Sequence, residues 1–514
     1  MRPVVRSAIQ FCIRHRQRVL IALAAVVAVF ALINVFTGLG SERIRSWDEA
    51  RHGISACEMM ESGNYLVNTF DRQTDHWNTK PVLAFYPDLL GMMIFGKNIF
   101  GLRFFSAFCF LCIAAMIFCL LRREAGTAAA LIGTAAFVVS PANWAHSFRH
   151  GDPDAVFMLF CFAAFVCQWR SLDPGRSFFL PLAALFLGLA FLVKSFHVGV
   201  FGFLAVIFVI VHWKRYTAKD LLLAAAAGLV PVLIWGAFRF HADGWAFFRS
   251  MLERDLLGRL EAGHPSEHAA SPWYCYPAML NHFLIVIPLA VIVLSAVAER
   301  IFRGKSWFSG SAPAAVLARW AGFYFLFPLV MFSCCRVKLP WYIFPALLFV
   351  PVVFGAAFHF AWRWLFEELA GARGKFFLLP PLSVVLACLA WIGVGEGKAI
   401  RNLVRMVPQR DILTVAGGQE EYRQKEFFCI GPDGRAQLPA QKFLLVLRFL
   451  EAKTVLADVE QYRKAPGNAF LVCYFKNVRD EAELRRRAEL AAARFSLRLI
   501  RCTNEHALYR CDTR

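Results

Sequence analysis

About eleven runs of roughly 20 mostly apolar residues are spaced along this chain of 514 residues, centred near residues 28, 112, 134, 161, 186, 204, 229, 286, 324, 350 and 386. A helix that crosses a bilayer needs about 20 such residues, because each adds about 1.5 Å of rise against a hydrocarbon core about 30 Å thick. Runs repeated at that length leave little room for any fold but a polytopic α-helical membrane protein. Composition agrees: 58% of residues are hydrophobic, 52 are phenylalanine and mean hydropathy is +0.51, where soluble domains are about half apolar.

The formal charge of +20 does not point to nucleic acid, since no stripe of Lys and Arg interleaved with stacking aromatics is present. The basic residues sit in short clusters between spans: Arg2 to Arg18, Arg122 with Arg123, Arg170 with Arg176, Lys214 with Arg215, Arg300 to Lys305, and Arg363 to Lys375. The positive-inside rule puts these on the cytoplasmic face. Segments 38–101 and 240–276 then become long outer loops, and 142–153 and 334–340 short ones. Long loops on one face only suggest that binding or chemistry occurs there. No small-residue cleavage pattern follows the first apolar run, which is therefore read as a retained anchor.

Residues 1–397 are expected to form the membrane domain and 398–514 a small extracytoplasmic α/β domain. In the latter, "KFLLVLRFLEA" and "DEAELRRRAELAAARF" carry helical periodicity, while "NAFLVCYF" and "SLRLIRC" read as strands. Cys429, Cys473, Cys502 and Cys511 fall in this tail, where an oxidising compartment allows disulfides in three pairings. Cysteines in the spans read as small apolar fillers.

One short charged stretch follows the first run: "SWDEARHGISACEMMESGNYL", residues 46–66. Ser46 and Glu49 have the spacing of a capping box, in which each side chain satisfies a free N–H of the opening turn. Trp47, Ala50, Ile54 and Cys57 share one helical face, with Asp48, Arg51 or His52, Ser55 and Glu58 on a polar one, and Gly63 is a natural stop. The spacing predicts an amphipathic helix lying along the membrane surface, its Trp face in the lipid boundary or against the bundle. Glu49 reads as a cap, with a second role open. Asp48 in the first turn is favoured by the helix dipole, although any acid there would do.

Together with "HWNTKPVLAFY" and "FGKNIFGLRFFSA", this stretch closely resembles the first outer loop of the GT-C membrane glycosyltransferases. Within that family it is most similar to the lipid A aminoarabinose transferases and the bacterial relatives of the protein O-mannosyltransferases. "FRHGDPDAVFMLF" looks like the family's second acidic motif, "FLVKS" like its lysine at a span end, "ERDLLGRLEAGHPSEHAASPWYCY" like its long fourth outer loop, and "CRVKLPWYIFP" like its late Lys-Leu entry. The resemblance covers roughly residues 15 to 355. It departs at Thr79, where the aminoarabinose transferase carries a glutamate associated with metal.

The resemblance implies sugar transfer from a polyprenyl-phosphate-linked donor, with inversion, on the periplasmic face of a bacterial inner membrane. Such a reaction needs a base for the acceptor hydroxyl and positive charge for the leaving phosphate. It makes Asp48 the general base, with Arg51 expected to favour its ionised form, and Glu49, Asp152 and Asp154 its acidic companions. Asp152, before Pro153, is also an N-terminal cap candidate. Arg51, Lys80, Lys194, Arg259, Lys338 and Tyr342 are the candidates for the donor phosphate. Lysines at span ends also snorkel without any function, but the positive-inside rule leaves few basic residues on this face. His264 and His268, four apart beside Glu267, are candidate ligands for a divalent cation, or ordinary loop histidines.

The acceptor implied is lipid A or another envelope glycolipid, with a protein acceptor as the rival, membrane lipids as surroundings and no nucleic acid. A transporter or flippase of lipid-linked sugars also needs many spans. It calls for ionisable residues at mid-span, whereas here they gather at span ends and loops.

Overall fold

A computed structural model describes residues 16–44, 47–145, 147–257, 272, 274–304, 306–335, 338–370, 378–406, 419–465, 469–503 and 505–511. Ser46, Arg259, His264, Glu267 and His268 lie outside the described residues.

The membrane part is helical throughout: α1 (Arg16–Phe36), α2 (Trp47–Ser62), α3 (Tyr86–Phe95), α4 (Ile99–Ala125), α5 (Thr127–Val138), α6 (Asp154–Ser171), α7 (Phe179–Lys194), α8 (Gly199–Val211), α9 (Ala218–Asp243), α10 (Trp245–Met251), α11 (Cys275–His282), α12 (Val286–Arg303), α13 (Pro313–Cys334), α14 (Val350–Ala370) and α15 (Leu379–Val404). Among the described residues, eight helical stretches are long and apolar enough to cross a membrane, and nine if the pair α11 and α12, bent by 92°, counts as one. The sequence expectation of about eleven includes the run near residue 134, which makes only the 12-residue α5. The runs near 186 and 204 enter the count of eight as one apolar stretch, Phe179–Val211, but that stretch folds back on itself, so the two runs are separate helices as expected.

That reversal follows from its contacts. Arg170 at the end of α6 lies over the Phe179 ring at the start of α7, and Ser171 meets Tyr216, just beyond α8, at 2.7 Å. Both ends of the stretch are thus at one end of α6. The turn between α7 and α8 is at the other end, where Lys194 pairs with Asp154. This hairpin places Lys194 at its tip. Small residues let α7 approach α9 closely, as in many membrane helix pairs: a Cβ on Gly188 would lie 2.2 Å from the Gly228 carbonyl oxygen.

Helix α15 runs on to Val404, past the boundary expected at 397. The tail contains α16 (Gln441–Phe449), α17 (Val459–Arg463) and α18 (Glu481–Phe495) around a five-stranded sheet. The sheet is ordered β4-β3-β5-β7-β6, with β3 Glu426–Ile430, β4 Lys453–Leu456, β5 Phe470–Tyr474, β6 Leu497–Thr503 and β7 His506–Cys511; β1 (Thr69–Phe70) and β2 (Gln73–Thr74) form a hairpin in the first loop. Strands β4, β3 and β5 are parallel and β7 and β6 antiparallel. The four tail cysteines lie on β3, β5, β6 and β7 as free thiols, and burial pushes the Cys429 thiol up to about 12.

Helix α2 departs from the expected surface helix. Every residue from Glu49 to Met59 is buried, including the polar face. One apolar core joins Ile54, Phe85 and Leu102 of the membrane part to Phe427, Phe443, Leu444 and Phe470 of the tail. At Gly53 a Cβ would meet Leu445 at 2.9 Å and Leu102 at 3.1 Å, so α2 is pressed between α16 and α4. The amphipathic pattern reflects two protein partners rather than lipid and water.

Candidate active site

Glu49 anchors the site. Its carboxylate accepts from Arg103 Nε at 2.5 Å and Nη2 at 3.0 Å, and from the Gly151 N–H at 2.9 Å. Arg103 also donates to the carbonyls of Leu39, Glu42 and Arg43. Burial would raise the Glu49 carboxyl, but the Arg103 charge and hydrogen bonds hold it below the usual range. One buried side chain thereby ties together α2, α4 and the loop carrying Asp152. Beyond any capping by Ser46, this is a role the local spacing did not disclose.

Asp48 is the next residue back, in the first turn of α2. Burial alone would raise its pKa; nearby positive charge, that of Lys80 first, outweighs burial and the repulsion of Asp154, so the net shift is downward. His52 is itself kept well below its usual pKa by burial and by Lys80. At neutral pH it therefore carries no charge, and Lys80 and Lys194 are what stabilise the Asp48 carboxylate.

Asp154 opens α6 and is ion-paired to Lys194, the last residue of α7; both are buried. Lys194 Nζ also lies 5.9 Å from the Phe157 ring centroid. Asp152 accepts the Asp154 N–H at 3.3 Å. Burial, then Asp154 and Glu49, raise its pKa well above the ordinary value. The structure thus gathers Asp48, Glu49, Asp152, Asp154, Lys80 and Lys194.

Lys80 precedes Pro81 in a loop organised by Asp75, whose Oδ1 accepts from the N–H groups of Trp77 and Asn78 at 2.9 and 3.1 Å. Arg51 is turned to that loop. It donates to Asp75 Oδ2 at 3.0 and 2.7 Å and stacks against Phe70 and Trp77 at 4.2 and 4.5 Å. The cation acting most strongly on Asp48 is accordingly Lys80 and not Arg51. Lys80 has no hydrogen-bond or ion-pair partner among the described residues.

Tyr342 is buried with its ring edge-on to His197 at 4.4 Å, which connects it to the α7–α8 turn. Lys338 is buried too and donates to the Cys335 carbonyl at 2.6 Å. Among the described residues no group of three or more His, Cys, Asp or Glu is placed to hold a metal ion.

Two residues of this region are missing from the sequence-derived set. His52 lies one turn from Asp48, fully buried, with neither ring nitrogen hydrogen-bonded among the described residues; its signal was the i, i+4 spacing from Asp48. Asp255 accepts from Thr79 and Ser195, and nothing local marks it.

Residues 79–235 match the family model for dolichyl-phosphate-mannose-protein mannosyltransferase. The undecaprenyl phosphate-alpha-4-amino-4-deoxy-L-arabinose arabinosyl transferase of Shewanella sediminis is 28% identical over 337 residues, 64% of this chain and 58% of the relative. A Pseudomonas fluorescens protein of the same name is 28% identical over 368 residues, 69% of this chain and 60% of the relative. The chain spans less than two thirds of the length of these curated relatives. The fold is that of ArnT from Cupriavidus metallidurans: the apo crystal structure aligns with TM-score 0.66 at 15% identity, covering 96% of this chain and 98% of that one. The structure bound to undecaprenyl phosphate aligns with TM-score 0.65 at 15% identity, over 95% and 97%.

Proposed function

We propose that this multi-pass membrane protein, with its GT-C glycosyltransferase fold and its mannosyltransferase-type domain at residues 79–235, is a polyprenyl-phosphate-sugar-dependent glycosyltransferase. It moves the sugar to lipid A or another envelope glycolipid on the periplasmic face of a bacterial inner membrane. The observation that carries this reading is the grouping of Asp48 and Lys80 with the buried ion pair of Asp154 and Lys194, at the first residue of α6 and the last of α7. The likeness to arabinosyl transferases named for an undecaprenyl-phosphate donor supports it.

The chemistry follows from that placement. Asp48 takes the proton of the acceptor hydroxyl as the oxygen attacks the anomeric carbon from the face opposite the phosphate. The bond from that carbon to the phosphate oxygen breaks, its electron pair leaves with the polyprenyl phosphate, and the new glycosidic bond has inverted configuration. Lys80, which has no hydrogen-bond or ion-pair partner among the described residues, meets the charge that grows on the leaving phosphate. Lys194 contributes less, since its charge is shared with Asp154. Lys338 and Tyr342, and Arg259 from the fourth outer loop, are assigned to the same phosphate by the motif resemblance.

A protein acceptor is the second reading, favoured by the family model that matches residues 79–235. Mass spectrometry of envelope glycolipids and glycoproteins, with and without the protein, separates the two. The first reading expects one sugar mass to disappear from a glycolipid. Loss confined to glycoproteins moves the acceptor to protein, and no change in either overturns the assignment.

A further inference from the structure

Thr79 precedes Lys80 and Ser195 follows Lys194. Their hydroxyls meet on one atom: Thr79 Oγ1 donates to Asp255 Oδ2 at 2.9 Å and Ser195 Oγ to the same oxygen at 3.2 Å. Both hydroxyl residues are buried, at 3% and 2% exposure. Asp255 belongs to the short π-helical segment Leu252–Leu257, which directly follows α10 within the fourth outer loop. Three segments far apart in sequence thus converge on one carboxylate.

The Ser195 backbone gives a second, independent sign. Its φ is +43°, a conformation rare for a residue with a side chain and maintained only when its surroundings enforce it. It sits at the tip of the α7–α8 hairpin, directly after the lysine. The Lys80 loop has its own internal support from Asp75, yet nothing in that support relates it to the hairpin. The link through Asp255 does.

We propose that Asp255 is a positioning residue that fixes the separation between Lys80 and Lys194, and so builds the cationic cradle for the phosphate of the lipid-linked donor. This rests on the reading above that the two lysines face that phosphate. Asp255 touches neither donor nor acceptor in this scheme; it acts by accepting two hydrogen bonds from the residues next to the lysines. An aspartate is suited to this, because one carboxylate oxygen can accept from both hydroxyls.

The test measures binding of polyprenyl phosphate alone to the full-length protein in detergent or nanodiscs, with thermal unfolding as a check of folding. Asp255→Ala is expected to weaken binding about tenfold, the loss of one to two buried hydrogen bonds. Thr79→Val with Ser195→Ala should weaken it by a similar factor, and adding Asp255→Ala to that pair should cost no more. Asp255→Asn, whose amide both accepts and donates, should stay within about threefold of wild type. Wild-type binding by Asp255→Ala and by the Thr79/Ser195 pair overturns the proposal. So does Asp255→Asn binding as weakly as Asp255→Ala, which would make the charge itself the active feature. A wild type that binds no polyprenyl phosphate instead removes the lysine assignment on which the proposal stands.

Discussion

Arg448 in α16 of the tail donates through Nε to Glu58 of α2 at 3.0 Å, and both side chains are buried. The same guanidinium reaches Asp71, in the β1–β2 turn, at 3.0 Å. The tail is therefore joined to the loop that carries Asp48 by a buried ionic contact inside a shared apolar core. Removing one partner of such a pair leaves an uncompensated buried charge, at about 3–5 kcal/mol. Arg448→Met should lower the unfolding midpoint of the solubilised protein markedly, and Arg448→Met with Glu58→Met should recover a good part of it. A single variant as stable as wild type would show that the contact contributes nothing.

Glu49 is predicted to matter for stability before chemistry. With Arg103 on two of its hydrogen bonds and Gly151 on a third, its carboxylate is engaged at both oxygens. Glu49→Gln should destabilise the protein by about 3 kcal/mol, because Arg103 stays buried without its counter-charge. Thermal or denaturant unfolding checks this. Unchanged stability with lost transfer would place Glu49 in the reaction instead.

The pH profile follows from the cations beside Asp48. A base must be deprotonated to act, and the Asp48 pKa is depressed below an ordinary value of about 3.9. Activity should then show no acid limb from this group between about pH 5 and 8. Lys80→Met removes the strongest stabilising charge, so the pKa rises and the fall in residual activity on acidification begins at higher pH. The same sign governs stability: the contribution from ionised Asp48 is present above its unfolded pKa and is lost as pH falls through the folded value. A Lys80→Met profile that coincides in shape with wild type would contradict the assignment of Lys80 as the controlling charge.

Much of this arrangement was legible in the sequence and some was not. Most apolar runs coincide with a helix, because the bilayer imposes a length and a composition that a single sequence displays; the run near 286 straddles the bend between α11 and α12. The tail's four named elements appear as α16, α18, β5 and β6, while β3, β4 and β7 were not anticipated. The acids Asp48, Glu49, Asp152 and Asp154 lie together with Lys80 and Lys194, whereas Lys338 is seen against the Cys335 carbonyl. What stayed hidden are pairings set by packing: Glu49 with Arg103, 54 positions away; Glu58 with Arg448, 390 away; Thr79 with Asp255, 176 away. Local periodicity has no record of such partners. It also assigned the polar face of α2 to the membrane surface, since a face covered by a second protein layer has the same pattern as one facing water.

The central claim is that Asp48 is the base for glycosyl transfer from a polyprenyl-phosphate donor. Its most direct test is transfer of labelled sugar to lipid A in vesicles containing the wild type or Asp48→Asn, beside binding of polyprenyl phosphate to each. The account predicts that Asp48→Asn retains binding and transfers at least about 100-fold more slowly, the contribution of a positioned general base. Equal transfer by the two proteins would contradict it.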